Sequence, residues 1–180
     1  VNLNGINIGE GAGFFLMTLD PSLVRLSGVG ETSDAYHISS PHPKGVGAEN
    51  AMLLALEHAN IKPTKIDYLN LHGTGTQQND KMEALAAHRV FGEKIACSST
   101  KPLTGHTLAA AGAIEAVFCW LTLQRNDNKL PPHHWDGKYD PDLPALTNIA
   151  AEKSHSKPKF AMSNSFAFGG NNTSLILATE

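Results

Sequence analysis

The chain has 180 residues, of which 41% are apolar and 17% are charged, and its net charge is −3 at pH 7. This length and composition are typical of one globular domain with a substantial core. The small net charge and the lack of any run of Lys or Arg disfavour nucleic acid and anionic membranes as partners.

The predicted elements begin with an apolar stretch. Residues 13–17, which follow the GEGAG turn, form a continuous apolar run that predicts a strand buried on both faces. A partner strand is predicted over 23–29, and the two prolines within 39–43 predict a loop.

From residue 46 onward, strands and helices alternate. In chain order we predict a helix over 46–59, a strand over 66–71, a helix over 80–91 with Asp80 as its N-cap, a strand over 94–97, a helix over 108–125, an irregular surface segment over 126–148, and closing strands over 160–162 and 173–177. This order implies a single α/β layered domain with a mixed, mostly parallel sheet flanked by helices.

The cysteines and the longest apolar stretch indicate a cellular compartment. Cys97 and Cys119 are the only cysteines and belong to no CxxC pattern, which disfavours a disulfide framework and a zinc site and favours a reducing cytoplasm. Residues 109–123 are too few and too polar to span a bilayer. No basic-then-apolar leader opens the chain. Because the chain starts without methionine and enters a core-like strand almost directly, we expect a fragment of a longer protein.

Three polar loops each follow a predicted strand: HGTGT at 72–76, STKPLTGH at 99–106 and NSFAFGGNN at 164–172. Ligand sites in α/β sheets gather at the carboxyl ends of strands. The three loops are therefore candidates for one pocket, although their spacing alone does not establish it.

Two histidines in these loops are candidate hydrogen-bond donors. His72 can donate from a neutral imidazole to a carbonyl or enolate oxygen, and the Thr74 and Thr76 hydroxyls can bind an amide-bearing chain. Lys101 near His106 would favour a neutral imidazole. The alternative for the first loop is a structural turn, and for the second a surface lysine beside a packing helix.

Glu115 and two phenylalanines complete the candidate set. Glu115 is placed to pair with Lys101. Of Phe166 and Phe168, one can belong to the core while the other forms a movable pocket wall. The alternative is a strand end with two core phenylalanines.

Together with GEGAG (9–13) and the continuation of the second loop to residue 116, the three loops resemble the C-terminal half of the β-ketoacyl-acyl carrier protein synthases. These condensing enzymes of fatty-acid and polyketide synthesis belong to the thiolase superfamily. The resemblance spans almost the whole chain and implies a thiolase-like layered fold. It also implies decarboxylative Claisen condensation of malonyl-carrier protein with an acyl thioester.

The resemblance also implies residue roles. His72 and His106 resemble the histidines that bind the thioester carbonyl and stabilise the enolate, and Lys101 resembles the lysine that organises them, with Glu115 as its partner. The remaining roles are phosphopantetheine contacts at Thr74 and Thr76, a gate at Phe168 whose backbone N–H joins the oxyanion hole, substrate contacts at Phe166 and Gly169, and a supporting carboxylate at Asp80. In some relatives a structural monovalent cation lies among the positions of Asn70, Glu115 and Ser163. No other metal ligand is assigned.

The family's nucleophilic cysteine lies in an N-terminal half that is not in this chain, so we expect the isolated chain not to catalyse condensation. Ala167 replaces a glycine that the family usually has, which would restrict the gate. The implied partners are acyl carrier protein, malonyl and acyl thioesters carried on phosphopantetheine, and a second copy of the full-length protein. No further cofactor is implied.

Two alternatives remain. A thiolase would place a cysteine where this chain reads SFAFGG, which disfavours it. A non-catalytic chain-length partner of a two-subunit ketosynthase is disfavoured because both His72 and His106 are present. The acyl chain length and the product class, whether fatty acid, aryl polyene or another polyketide, are left open.

Overall fold

A computed structural model describes residues 5–125, 127–144, 146, 148–149 and 157–179. The elements in chain order are β1 (Arg25–Ser33), α1 (Val46–His58), β2 (Tyr68–Asn70), α2 (Gln77–Phe91), β3 (Cys97–Ser98), α3 (Lys101–Thr104), α4 (Ala111–Gln124), β4 (Phe160–Ala167) and β5 (Asn171–Ala178). Among the helices of this described part, none has the length and apolar character needed to cross a membrane.

The five strands form one sheet in the order β1-β5-β4-β2-β3. The pairings of β2 with β3 and with β4 are parallel, whereas those of β5 with β1 and with β4 are antiparallel. The mixed α/β architecture is confirmed, but parallel pairings do not predominate in it. The reason is the hairpin of β4 and β5, which turns within Phe168–Gly170 and then pairs with β1. Gly169 and Gly170 adopt φ of 75° and 76° there, which favours glycine.

The core forms between the sheet and its helices. Helix α1 was predicted from its apolar periodicity, and it buries Ala48, Met52 and Ala55 against the sheet. It approaches β1 closely: a Cβ at Gly30 would lie 2.0 Å from the Ala51 carbonyl oxygen, so only glycine fits there. Helix α4 packs on the opposite face, where Cys119 and Leu123 contact Tyr68 of β2.

Two predictions were wrong. Residues 13–17 form no strand, and the side chains of Phe14 and Leu16 are 91% and 93% exposed. An apolar run forms a buried strand only when layers cover both faces, and the described chain covers this one poorly. Asp80 is not the N-cap of α2, because the helix begins at Gln77 with Thr76 in the capping position. Asp80 lies in the first turn instead, where its carboxylate accepts a hydrogen bond from the Gly75 amide at 3.3 Å.

The parallel strands bring the polar loops to one edge of the sheet. Asn70 pairs with both Ser98 and Ser163, so β2, β3 and β4 run in the same direction past this point. The loops after β2 and β3 carry His72 and Lys101, whereas Phe166 lies within β4 itself.

The predicted loop over 164–172 is mostly strand, because β4 extends to Ala167 and β5 begins at Asn171, which leaves only Phe168–Gly170 as a turn. The sheet still brings the three segments to one edge.

Candidate active site

The two histidines singled out in the sequence lie in contact. Their ring centroids are 5.4 Å apart, with the rings edge to face, and the side chains of His72 and His106 are both buried. His72 lies two residues after the end of β2. His106 follows α3 and is held by the N-terminal segment, because its amide donates to the Asn7 carbonyl at 2.7 Å and its carbonyl accepts from the Gly9 amide at 3.0 Å.

A buried ion pair lies beside His72. The Lys101 ammonium is 3.4 Å from His72 Nδ1 and forms a salt bridge with Glu115 Oε1, so the predicted Lys101–Glu115 pairing is present. Burial lowers the pKa of His72 well below its usual value, and the charges of Lys101 and then His106 lower it further. Burial and the Lys101 charge lower the pKa of His106 as well. Burial raises the pKa of Glu115 to about 7, against the opposing effect of Lys101.

The hydrogen bonds to these rings decide which nitrogen carries the proton. An ammonium can only donate, so His72 Nδ1 accepts from Lys101. His106 Nδ1 accepts from the Leu108 amide at 3.2 Å. In each neutral ring the proton is therefore on Nε2. The site holds two uncharged N–H donors, which is an arrangement suited to stabilising negative charge on an oxygen.

Glu83 of α2 positions the first loop. Its two carboxylate oxygens accept hydrogen bonds from the His72 and Gly73 amides, each at 2.7 Å, and the side chain is buried. Burial raises its pKa to about 7, although both hydrogen bonds favour the ionised form. Sequence analysis did not place Glu83 among the candidate site residues. Its position eleven residues after His72 was the available signal, but nothing local shows that its partners are backbone amides.

The loop itself is tightly held. Gly73 has φ of 42°, its carbonyl accepts a hydrogen bond from Ser99 Oγ at 2.9 Å, and a Cβ there would lie 2.5 Å from the Ser99 Cβ. The Thr74 and Thr76 hydroxyls are half-buried and bond to each other at 2.8 Å. One of these hydroxyls must be the acceptor, so it keeps its own proton for another partner.

The two phenylalanines separate as the sequence analysis allowed. Phe166 is buried in β4, with its ring centroid 6.3 Å from that of His72. Phe168 is 66% exposed at the hairpin turn and has no ring contact with either imidazole in the described part of the chain. The Gly169 amide donates to the Ile38 carbonyl at 2.8 Å, so it is already engaged.

A cavity of about 680 Å³ opens against this cluster. Thr74, Lys101 and His106 are among the residues that line it. Trp135 and Tyr139, with ring centroids 4.9 Å apart, also line it, and they belong to the segment that the sequence analysis treated only as a surface excursion. The described residues of this segment, 127–144, 146 and 148, are irregular, as predicted, but they also contribute to the lining of the cavity.

Neither cysteine resembles a nucleophile. Both thiols are buried, and burial raises the pKa of Cys97 to about 12 and that of Cys119 further still. A thiolate is the reactive form, and these environments disfavour it. That the family's nucleophilic cysteine lies outside this chain stays a prediction.

Asn70 Oδ1 and the second carboxylate oxygen of the ion-paired Glu115, Oε2, are buried and have no hydrogen-bond partner. Ser163 is buried as well and is the register partner of Asn70. Within the described residues, no group of three or more His, Cys, Asp or Glu side chains is placed to hold a metal ion.

Comparison with known proteins identifies the family. Residues 23–134 match the beta-ketoacyl synthase, C-terminal domain. The chain is 39% identical to 3-oxoacyl-[acyl-carrier-protein] synthase 2 of Staphylococcus aureus, and the match covers 96% of this chain and 45% of that protein. The chain thus spans less than half the length of the curated relatives it matches.

Solved structures agree with this match. A chain in the complex of the ketosynthase ApeO with its chain length factor ApeC from Xenorhabdus doucetiae is 51% identical, with a TM-score of 0.85 over 91% of this chain and 41% of that one. A beta-ketoacyl synthase from Burkholderia phymatum is 38% identical, with a TM-score of 0.78 over 87% of this chain and 38% of that one. The chain therefore belongs to the beta-ketoacyl synthase family and carries its C-terminal domain, with the thiolase-like fold.

Proposed function

We propose that this chain is the part of a 3-oxoacyl-acyl carrier protein synthase that stabilises negative charge during decarboxylative condensation. The observation that carries the proposal is the pair of buried, neutral imidazoles, each with its proton on Nε2, beside the Lys101–Glu115 ion pair. Preorganised donors in a site that excludes water have their largest effect on developing charge.

The proposed reaction has two stages. First, an acyl group passes from the carrier protein's phosphopantetheine thiol to a cysteine outside this chain. Then a malonyl thioester loses CO₂, and the electrons of the broken C–C bond form an enolate whose oxygen accepts hydrogen bonds from Nε2 of His72 and His106. The enolate carbon attacks the acyl thioester carbonyl, the C–S bond breaks, and the cysteine thiolate leaves and regains a proton.

The other site residues are assigned supporting roles in this proposal. Thr74 and Thr76 present hydroxyls to the amide-bearing phosphopantetheine arm, with Asp80 bracing their loop through the Gly75 amide. Phe166 packs on His72. Phe168 and Gly169 form the gate, which the exposure of the Phe168 ring supports.

Asn70, Glu115 and Ser163 fit a monovalent cation, because the first two present buried oxygens without hydrogen-bond partners. A bound cation would supply positive charge to those oxygens and would take no part in bond making. The charges of Lys101 and Glu115 already cancel each other. A monovalent cation therefore fits this site better than a divalent one.

The partners follow from the same proposal. Acyl carrier protein is the proposed carrier of both thioesters, and the S. aureus relative is itself named a 3-oxoacyl-[acyl-carrier-protein] synthase. Dimerisation of the full-length protein and its cytoplasmic location stay predictions.

A chain-length partner subunit is the second candidate, because the similar Xenorhabdus structure contains a chain length factor. The intact His72–His106–Lys101 cluster favours the catalytic subunit.

The test is condensation by the intact protein with acyl- and malonyl-carrier protein, followed by mass spectrometry of the carrier-bound product. A 3-oxoacyl product that depends on His72 and His106 supports the proposal. Intact protein that forms product only when a second ketosynthase subunit is added, and still does so after His72→Ala, would identify a partner subunit instead. The purified 180-residue chain should form no product.

A further inference from the structure

A chain of buried hydrogen bonds runs from Asn70 across the sheet. Asn70 Nδ2 lies 3.1 Å from the Tyr68 hydroxyl, which lies 2.6 Å from Ser98 Oγ, which in turn lies 2.8 Å from the Pro131 carbonyl oxygen. Tyr68 and Asn70 are both completely buried. None of these contacts has a role in the condensation proposed above.

The chemistry of the last acceptor fixes the direction of the whole chain. A carbonyl oxygen can only accept, so Ser98 donates its single hydroxyl proton to Pro131. Ser98 Oγ must then accept from Tyr68, whose oxygen is left to accept from Asn70. Asn70 therefore has to present its NH₂ group to Tyr68, and its oxygen is turned away from this chain.

That oxygen lies in the layer between the sheet and α4. Tyr68 packs against Cys119 of α4, and Asn70, two residues further along the same strand, lies on the same face of the sheet. Ser163 is the register partner of Asn70, and Cys119 interacts with the Ser163 side chain. Glu115 lies one turn before Cys119 on α4 and is buried.

Asn70 Oδ1 and Glu115 Oε2 are both fully buried, and neither accepts a hydrogen bond. An unpaired buried acceptor destabilises the fold, so two in one layer are unfavourable unless a ligand satisfies them. Rotation of the Asn70 amide would provide no relief, because Tyr68 already requires its NH₂ group. The strand thus holds a bare carbonyl oxygen in a fixed orientation.

We propose that Tyr68 is a positioning residue that holds the Asn70 amide with its oxygen toward a bound monovalent cation. Tyr68 does not contact the cation itself but acts through Asn70, and Ser98 and Pro131 set the direction of its hydroxyl. This inference rests on the proposal that Asn70, Glu115 and Ser163 hold such a cation.

The experiment is thermal unfolding of the intact protein in KCl, with choline chloride keeping the ionic strength constant. A ligand that binds only the folded state raises Tm with its concentration. We expect a saturable rise in Tm with K⁺ for the wild type and no rise for Asn70→Ala. Tyr68→Phe conserves volume and should fold, but its half-maximal K⁺ concentration should rise about tenfold, the effect of 1.4 kcal/mol.

Three variants separate orientation from packing. Thr122→Val is the matched control, because it also removes a buried hydroxyl, one that bonds within α4, and it should leave the K⁺ response unchanged. Asn70→Asp presents two equivalent oxygens, so orientation by a neighbour no longer matters. Adding Tyr68→Phe to Asn70→Asp should therefore not change the K⁺ response further.

The outcomes are distinct. If the wild type responds to K⁺ and Tyr68→Phe has the same half-maximal K⁺ concentration, the role of Tyr68 is overturned but the cation site is not. An equal loss from Tyr68→Phe in the wild-type protein and in the Asn70→Asp variant would also overturn it, since the effect would then come from packing. A wild type with no specific response to K⁺ would overturn the cation site and this inference together.

Discussion

Lys101 Nζ lies 3.4 Å from His72 Nδ1 and at the same time forms a salt bridge with Glu115. One ammonium therefore joins the charge pair to the imidazole pair and selects the tautomer in which His72 Nε2 carries the proton. The relationship explains why a lysine is buried next to a histidine that remains uncharged. It also predicts that stability and activity depend on Lys101 in different ways.

Lys101→Met should lower the decarboxylation rate of the intact protein by about 10²-fold or more, comparable to the loss of an oxyanion-hole donor. It should also destabilise the fold by about 3–5 kcal/mol, because Glu115 is left buried and unpaired. Lys101→Met/Glu115→Met should regain stability but not activity. Urea unfolding and CO₂ release measure the two effects separately. Lys65→Met, on an exposed turn, is the control. Recovery of activity in the double variant would contradict the assigned role.

Glu83 should make stability depend on pH between about 4.5 and 7. Its pKa is 4.5 in a free side chain and about 7 in the fold, where burial and Asp80 raise it and the two amides and Lys101 lower it. The folded state therefore binds the proton more tightly, and the free energy of unfolding falls as the pH rises through this window. The pKa difference is about 2.5 units, and at about 1.4 kcal/mol per unit the change is at most about 3–4 kcal/mol.

Glu83→Gln should remove this dependence. The free energy of unfolding of the wild type, measured relative to that of the variant, should therefore fall from pH 4.5 to 7. Urea unfolding at several pH values measures it, with the exposed carboxyl variant Glu57→Gln of α1 as control. Parallel pH profiles for the wild type and Glu83→Gln would show that burial of this carboxyl has no such effect.

Cys97 and Cys119 should resist alkylation in the folded protein, because both thiols are buried with raised pKa values. Iodoacetamide labelling at neutral pH, mapped by mass spectrometry, should modify neither before denaturant is added and both afterwards. The fully denatured protein is the control for intrinsic reactivity. Rapid labelling of either cysteine in the native state would restore it as a candidate nucleophile.

The isolated 180-residue chain should bind hydrophobic dyes and self-associate. Phe14, Leu16 and Leu19 are almost fully exposed along one segment, which is unusual for a stable monomer. The fluorescence of the bound dye and the sedimentation coefficient of the chain should both decrease in a Phe14→Lys/Leu16→Glu variant. The same substitutions at exposed polar positions, Lys62→Glu and Glu57→Lys, are the control. A monodisperse chain without dye binding would show that this segment is covered by other means.

Local sequence patterns predicted the helices and strands whose formation depends on residues close together in the chain. Helix α1 follows from apolar periodicity, and the strands before His72 and Lys101 follow from short apolar runs that end in polar loops. Helix α2 was predicted from a capping pattern, which gave its existence but not its first residue. Strand order made the loops that carry His72 and His106 candidates for one pocket, and the family resemblance implied that the two histidines act together. The pairing of Lys101 with Glu115 was expected from opposite charges.

The remaining features depend on distant parts of the chain. The 13–17 segment reads as a buried strand, but burial requires covering layers that a local pattern does not contain. Glu83 binds backbone amides, which leave no trace in the sequence. The part of the cavity lining contributed by Trp135 and Tyr139 arises from an irregular segment whose path is set by its contacts rather than by periodicity.

The most direct test of the central claim is CO₂ release from malonyl-carrier protein by the intact protein and its single variants His72→Ala and His106→Ala. If the two Nε2–H groups stabilise the enolate, each variant should lose about 10²–10³-fold in rate, while folding stability and acylation of the nucleophile persist. His58→Ala, on the exposed end of α1, should behave as the wild type. Decarboxylation at the wild-type rate in either site variant would contradict the account.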